Sequence, residues 1–488
     1  MILTALAAVA ALYLAAWFSP AIGLYHDDGA YLVTAKAIFA GHGYVVDNLP
    51  TPIPQTTFPP LFPVLLGIFS LVSSNAQWLK LLPLACTVGW LWISFRLLRR
   101  LGASEGGASL VVLLAAACPT VIFLGTNLMP ESLFGLLTAA AILALLDEKA
   151  LPAGIFAGLA ALTRPGGLPL IIASALILLL YGRLRKAVTF TAAAILLAAP
   201  WIGWSLANAP SQLYYGRMTH ASNSILTSLE ANEKLFALGS NALYLFSSVW
   251  TLLSGIQDVW AVSVTVSFLI LSLWRRRQLV PDLFLAFYAL LLLVVLGPVQ
   301  NAIAPVLPLV FWIFWRGLRN IIRREVVAAV LVLLIGMVVR LDYERFRMLP
   351  SGQLPVSDAE PNDWKQMQRL FDFINTNTPP GAVIAANLDS AIYLQTGRKT
   401  IRGFSPDYYK AVLQPSGIPV TPDGLSAAVL GETCSFVVLT PDLAFPEAAT
   451  YRRSVEAMER GGVLEPVSVP GLAPGYRLLR VANTGFRR

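Results

Sequence analysis

The chain has 488 residues, 56% of them hydrophobic and only 13% charged, with a formal net charge of +8. A soluble domain carries about 25% charged residues, so this composition excludes an ordinary soluble protein and describes a polytopic membrane protein. Residues 1–341 hold 20 basic and 12 acidic side chains and residues 342–488 hold 15 of each, so the excess reflects membrane-loop charge and anionic lipid headgroups, and implies no nucleic-acid partner.

In chain order, residues 2–22 form a first hydrophobic segment. It lacks a basic leader, and its length suits a retained transmembrane helix. Tyr25-His26-Asp27-Asp28-Gly29-Ala30-Tyr31 follows at once. Paired carboxylates at the lip of a membrane helix are costly to bury, so they face water, a cation or a substrate; one Asp would also serve as a helix cap. Leu32, Ala35 and Phe39 share a helical face with Lys36 off it, predicting a short helix along the membrane surface that stops at Gly41 and Gly43. Phe58-Pro59-Pro60-Leu61-Phe62-Pro63 returns the chain to the bilayer.

Further hydrophobic segments fall at 78–98, 107–125, 131–147, 150–163, 167–182, 187–207, 259–274, 281–297, 301–316 and 325–341. One set of loops carries Arg96, Arg99, Arg100, Lys149, Arg183, Arg185, Lys186, Arg275, Arg276, Arg277, Arg316, Arg319, Arg323 and Arg324. The opposite set carries only Lys36, Lys80, Arg164, Arg217, Lys234 and Arg340, a split of 14 to 6. The positive-inside rule puts the first set in the cytoplasm and the Asp27-Asp28 loop outside. Residues 236–256 read as re-entrant or interfacial, which leaves eleven spans and an external C-terminus.

Hydropathy collapses after Arg340, giving a membrane domain, 1–341, and a small α/β extracytoplasmic domain, 342–488. Helices are predicted at 364–375 and 451–460, and strands at 382–386, 436–439 and 476–481. No glycine-rich phosphate loop or internal repeat is present. Cys86 and Cys118 read as packing residues and Cys434 stands alone, so there is no disulfide framework, and no zinc-type spacing occurs.

Four elements converge on the outer face: Asp27-Asp28; Asn127 to Ser132 with Glu131 opening a span; the Thr163-Arg164-Pro165-Gly166-Gly167 turn; and the loop 208–240 with Tyr214, Tyr215, Arg217 and His220. Glu131 reads equally as a helix N-terminal acid, and Arg164 as a snorkelling side chain. Lys36, Lys80, Glu131, Arg164, Tyr215, Arg217 and His220 are candidate substrate contacts around catalytic Asp27 and Asp28. An acidic centre flanked by cations at the bilayer edge suits a substrate with a lipid tail, a phosphate and a polar head, such as a lipid-phosphate-linked sugar.

The run Asp27-Asp28-Gly29-Ala30-Tyr31-Leu32, Ala35-Lys36, Gly41-His42-Gly43-Tyr44 and Pro59-Pro60-Leu61-Phe62-Pro63 resembles the first outer loop of GT-C glycosyltransferases. More narrowly, it is similar to bacterial relatives of the dolichyl-phosphate-mannose protein mannosyltransferases and the lipid A aminoarabinose transferase. Met129-Pro130-Glu131 resembles the second acidic loop, Leu162-Thr163-Arg164-Pro165 a family turn, and Tyr393-Leu394-Gln395-Thr396-Gly397-Arg398 an outer-domain element. The resemblance implies a catalytic role for Asp27, a polyprenyl-phosphate sugar donor, one-step inversion, and a bacterial inner-membrane enzyme with its site outside. The acceptor is left open among lipid, glycan and protein. So is a divalent cation, Mg or Mn, on Asp27 and Glu131. Two other readings are a polyprenyl-linked glycan ligase and a lipid or solute transporter; charges at span ends and a large outer domain favour an enzyme.

Overall fold

The computed structural model describes residues 2–17, 19–208, 279–294, 300–319, 363–402, 434–441 and 446–482, with single positions between 238 and 245 and between 323 and 340. Helix α1 (Ile2–Trp17) has ended by Ser19, not at 22 as expected. Ser19 precedes Pro20, whose ring disfavours helical backbone in the residue before it. Helix α2 (Asp27–Phe39), a two-residue ribbon of β1 (Val45–Val46) and β2 (Ile53–Pro54), and α3 (Leu61–Ser70) make the first loop. A helix at 61–70 was not foreseen; its end leaves Ile68, Leu71 and Val72 exposed, as suits an interfacial element.

The bundle continues with α4 (Ala76–Arg100), α5 (Glu105–Ala117), α6 (Pro119–Thr126), α7 (Glu131–Leu146), α8 (Ala150–Ala161), α9 (Gly167–Leu180), α10 (Leu184–Asn208), α11 (Leu279–Val294) and α12 (Leu307–Arg319). The segment expected as one span over 107–125 is broken between α5 and α6 by a 69° bend. Pro119 opens α6 and has no N–H to continue the ladder. Among the described residues α4 and α10 are long and apolar enough to cross a membrane alone, and α5 with α6 makes a third such unit. The other apolar helices run 10–17 residues. Length alone therefore does not reproduce eleven spans among the described residues, since a straight crossing takes about 20 residues. The segments at 259–274 and most of 236–256 and 325–341 lie outside the described residues.

The apolar helices turn large side chains outward: Leu196 is 77% exposed and Ile172 54%, as suits a lipid-facing surface. Between helices, small residues set the spacing. Gly154 and Gly158 on α8 face the backbone of α10, and a Cβ on Gly158 would lie 2.8 Å from the Ala194 carbonyl oxygen. This is the small-xxx-small approach expected where lipid removes the hydrophobic drive. Gly158→Leu should lower stability by at least about 1–3 kcal/mol through overpacking; a thermal melt in detergent should show the drop, and an unchanged melt would mean the helices do not pack here.

The two ends of the bundle differ. At one end Arg100 pairs with Asp147 at 3.0 Å, Glu148 takes Arg183 and Lys186 at 3.0 and 2.8 Å, and Arg316 meets Asp282 at 2.9 Å. These cations belong to the basic loop set. At the other end lie α2, the start of α7 and the α8–α9 turn.

The tail forms a five-stranded mixed sheet in the order β4 (Lys399–Arg402), β3 (Val383–Ala386), β5 (Phe436–Leu439), β7 (Arg477–Val481), β6 (Leu464–Val467). β3 runs parallel to β4 and β5, and the remaining pairs are antiparallel. Helices α13 (Trp364–Asn377), α14 (Asp389–Thr396) and α15 (Pro446–Arg460) flank it. The predicted strands and the first helix fall where expected within a few residues, the second helix begins at Pro446 rather than Tyr451, and α14, β4 and β6 were not foreseen. Gly397, at φ +69°, closes α14 in the left-handed conformation that glycine adopts most easily. Strand alternation sends Ile384, Ala386, Val438 and Leu478 to the face covered by α13, and Ala385, Val437 and Leu479 to the face covered by α15.

Candidate active site

Helix α2 carries the acidic pair, and it departs from the expected surface helix. It begins at Asp27, not Leu32, and buries nine of its thirteen residues. A helix on a membrane surface keeps a wet face; this one is covered by α3 on one side and by α14 on another. Lys36 remains exposed in its last turn.

The two carboxylates face different ways. Asp27 is exposed, while Asp28 is 1% exposed. The Asp28 carboxylate accepts from the Gly23 amide at 2.6 Å and the Tyr25 amide at 3.0 Å, so it shapes the turn that leads into the helix. Burial pushes its carboxyl up from the ordinary range, and the Gly23 amide, the Lys80 charge and the Tyr25 amide pull it back. The N-cap is His26 at φ +60°, a non-glycine residue in left-handed backbone, and no side chain caps there. Such strain marks a turn held by its surroundings.

Two other loops arrive beside Asp27. Glu131 opens α7 at 4% exposure, and Arg164 sits in the turn between α8 and α9, closed by the Gly167 amide donating to the Arg164 carbonyl at 3.0 Å. Arg164 Nη1 donates to Glu131 Oε1 in a tight ion pair, with the guanidinium side chain 19% exposed. Glu131 Oε2 is buried and has no hydrogen-bond partner among the described residues. Asp27 lies within electrostatic reach of Glu131, Arg164 and Tyr31. Thus the structure brings together Asp27, Glu131 and Arg164 of the predicted set.

Lys80 is placed otherwise. The sequence suggests a substrate contact, but the side chain is 1% exposed; Nζ donates to the Ser19 carbonyl at 2.9 Å and to Asn127 Oδ1 at 3.2 Å. It braces the chain just before each acidic loop. Tyr215, Arg217 and His220 lie outside the described residues.

Comparison with solved structures gives a likeness over the whole chain. ArnT from Cupriavidus metallidurans bound to undecaprenyl phosphate matches at 13% identity and a TM-score of 0.58, over 99% of this chain and 98% of that one. The same protein in the apo state matches at 12% identity and a TM-score of 0.51 with equal coverage. The chain shares the fold of that protein. At this identity the likeness is one of fold. No family model and no curated protein matches the sequence.

Within this fold the site holds two tyrosines that sequence reading missed. Tyr31 stands one helical turn after Asp27, wedged against Phe58 and Phe62 with ring centroids 4.4 and 5.2 Å away. The i, i+4 spacing from Asp27 was the available signal. Tyr288 on α11 lies within reach of Arg164 and Glu131, and Gly166 makes room for it, since a Cβ there would meet the Tyr288 ring at 2.6 Å. Nothing in the local sequence of α11 pointed to it.

A divalent cation here would take Asp27 and Glu131 Oε2 as its donors. Among the described residues no third His, Cys, Asp or Glu joins them. Two carboxylates plus water suit Mg or Mn, which keep part of their hydration. The Arg164 guanidinium already supplies positive charge at the same place.

The rim beyond β1 is polar. Asp47 accepts from Tyr393 at 2.7 Å, Lys399 at 3.2 Å and His42 at 3.1 Å. Burial raises its carboxyl, but these three bonds outweigh burial and hold it below the ordinary carboxylate range. A lowered folded-state pKa stabilises above the unfolded value, about 3.9, and that stability fades as pH falls through the folded value. The contact between loop 42–48 and the sheet should therefore hold above about pH 5 and weaken below about pH 4. Hydrogen exchange across 42–48 measures it, and pH-independent exchange in that window would contradict the assignment.

Proposed function

We propose that this chain is an integral-membrane glycosyltransferase that moves a sugar from a polyprenyl-phosphate carrier to an acceptor hydroxyl. One observation carries the reading: an exposed carboxylate, Asp27, shares a site with a guanidinium, Arg164, at one end of a lipid-exposed helical bundle. The likeness in fold to ArnT, whose structure holds undecaprenyl phosphate, supports it.

In this mechanism Asp27 accepts the proton of the acceptor hydroxyl as its oxygen attacks the anomeric carbon. The bond from that carbon to the phosphate oxygen breaks, and its electron pair leaves on the lipid phosphate. Arg164, oriented by Glu131, faces that growing negative charge. Attack from the side opposite the phosphate inverts the anomeric centre. Tyr31 and Tyr288 lie beside these charges, and Lys36, exposed in the last turn of α2, is a headgroup contact in this reading. A cation on Asp27 and Glu131 would add positive charge beside the phosphate. Tyr215, Arg217 and His220 are further donor contacts in this reading, and the acceptor is a lipid, a glycan or a protein. In this reading the protein sits in a bacterial inner membrane by eleven spans, with the site and the sheet on the extracytoplasmic side, an orientation that the 14-to-6 split of loop cations supports.

The test begins with mass spectrometry of lipids co-purified with the protein, which reads the donor head directly. Purified protein in nanodiscs should then release sugar from a synthetic undecaprenyl-phosphate monosaccharide carrying that head, with inversion seen by NMR. Release only from a pyrophosphate-linked glycan would make the chain a ligase, and lipid movement across vesicles without release would make it a transporter; either overturns the proposal.

A further inference from the structure

The segments that flank α2 are embedded in the tail. Ala21 and Leu24, just before the helix, join the core on the α13 face of the sheet. Val46 and Leu49, beyond the exposed turn that follows the helix, join the core on the α15 face. The sheet thus grips the first loop on both sides, and α2 hangs between the two grips.

Helix α14 supplies a stop between them. Gly23 and Gly29 abut it so closely that a Cβ on Gly23 would lie 2.7 Å from the Ala391 Cα, and one on Gly29 would lie 2.6 Å from the Ser390 Cβ. Gly23 also needs its glycine for its backbone, at φ +86°. Gly23 is the residue whose amide binds Asp28, so the contact reaches the turn that presents Asp27.

A buried polar node fastens the arrangement. Asn48 Nδ2 donates to Asp389 Oδ2 at 3.0 Å and to Thr400 Oγ1 at 3.1 Å, and the Thr400 amide donates to the Asn48 carbonyl at 2.7 Å. Asn48, Asp389 and Thr400 are each at most 1% exposed. A buried node is costly when one member is left unmatched, so it specifies one seating of sheet on loop. Asp389 stands at the first position of α14, directly before the Ser390 and Ala391 that touch the glycines.

We propose that the C-terminal sheet is a positioning element for Asp27: it holds the segments on either side of α2, with Asn48 and Asp389 as its fastening residues and α14 as its stop. The inference rests on the reading of Asp27 as the group that receives the proton. A tail that only captured acceptor would need neither cores shared with the segments flanking α2 nor glycines where α14 meets the Asp27 turn.

A swapped pair tests it in the full-length protein in nanodiscs. Asn48→Asp sets a carboxylate against Asp389, whereas Asn48→Asp with Asp389→Asn restores a donor facing an acceptor. Hydrogen exchange at residues 27–31, where the Ala30 amide is held by the His26 carbonyl at 3.0 Å, is the readout. Exchange there should rise about tenfold in Asn48→Asp and return to within about threefold of wild type in the swapped pair. Should Asn48→Asp not fold, Asp47→Asn, which removes the charge facing Lys399 and leaves one acceptor oxygen for the bonds from Tyr393, His42 and Lys399, should give a smaller rise at the same residues. Unchanged exchange at 27–31 beside raised exchange at 46–49, or a swapped pair no better than the single variant, overturns the proposal. A transfer assay adds an independent arm: kcat should follow the exchange with donor KM unmoved. If exchange responds and even wild type transfers no sugar, the transferase reading falls and the grip stands. If wild type transfers and kcat ignores the exchange, the link to Asp27 is wrong.

Discussion

Asp27→Asn is expected to lower sugar transfer by about a hundred- to ten-thousandfold with little change in melting temperature. The substitution keeps the size and the hydrogen-bonding reach of the side chain and removes its capacity to take a proton. Asp27 is exposed, so the change costs little in packing or desolvation. Asp28→Asn makes the contrasting case. There the carboxylate accepts two backbone amides inside the protein, one oxygen to each, and an amide has only one acceptor oxygen to offer. One amide loses its partner, at a cost of about 1–3 kcal/mol. Asp28→Asn should therefore melt earlier and lose rate through the displaced turn, whereas Asp27→Asn should lose rate alone. Circular-dichroism melts beside initial rates separate the two. A normal rate in Asp27→Asn, at saturating acceptor, would remove the proton-transfer role.

This division between neighbours shows where the sequence stops being readable. Two adjacent acids in a loop carry no mark of which one will be buried; that depended on Gly23 folding back to reach Asp28 and on α14 covering the turn from more than 350 positions away. The same distant cover explains why α2 read as a one-faced surface helix from Leu32. Its far side is apolar enough, in Val33 and Ala37, to accept a second neighbour, but the neighbour belongs to the tail. Glu131 and Arg164 were legible because short motifs fixed them at helix ends, Pro130 before one and Pro165-Gly166 after the other. Lys80 misled because a cation among apolar residues near a span end reads as facing substrate, while its true partners, the Ser19 carbonyl and Asn127, are set by tertiary packing. The tail strands β3, β5 and β7 showed in their apolar runs. β4, Lys-Thr-Ile-Arg, and β6, Leu-Glu-Pro-Val, sit at the sheet edges, where polar residues and a proline are tolerated and hide the pattern.

The ion pair between Arg164 and Glu131 yields the second large effect, because stability and binding should separate there. Arg164→Ala strands a carboxylate whose residue is 4% exposed, and breaking a buried pair in this manner costs about 3–5 kcal/mol. It should also weaken donor binding, since a charge-assisted bond to phosphate is worth about 1.5–3 kcal/mol, or roughly ten- to a hundredfold in donor KM. Glu131→Gln should fold, because its amide oxygen still accepts from Arg164, and should lower turnover through a less firmly held guanidinium. The double variant Arg164→Met with Glu131→Gln decides between a structural and a binding role. With no charge left unpaired, its melting temperature should recover most of what Arg164→Ala lost. Its donor KM should stay raised, because the guanidinium is still missing. Recovery of both would mean that Arg164 serves only to neutralise Glu131, and the phosphate contact would then have to come from elsewhere in the site.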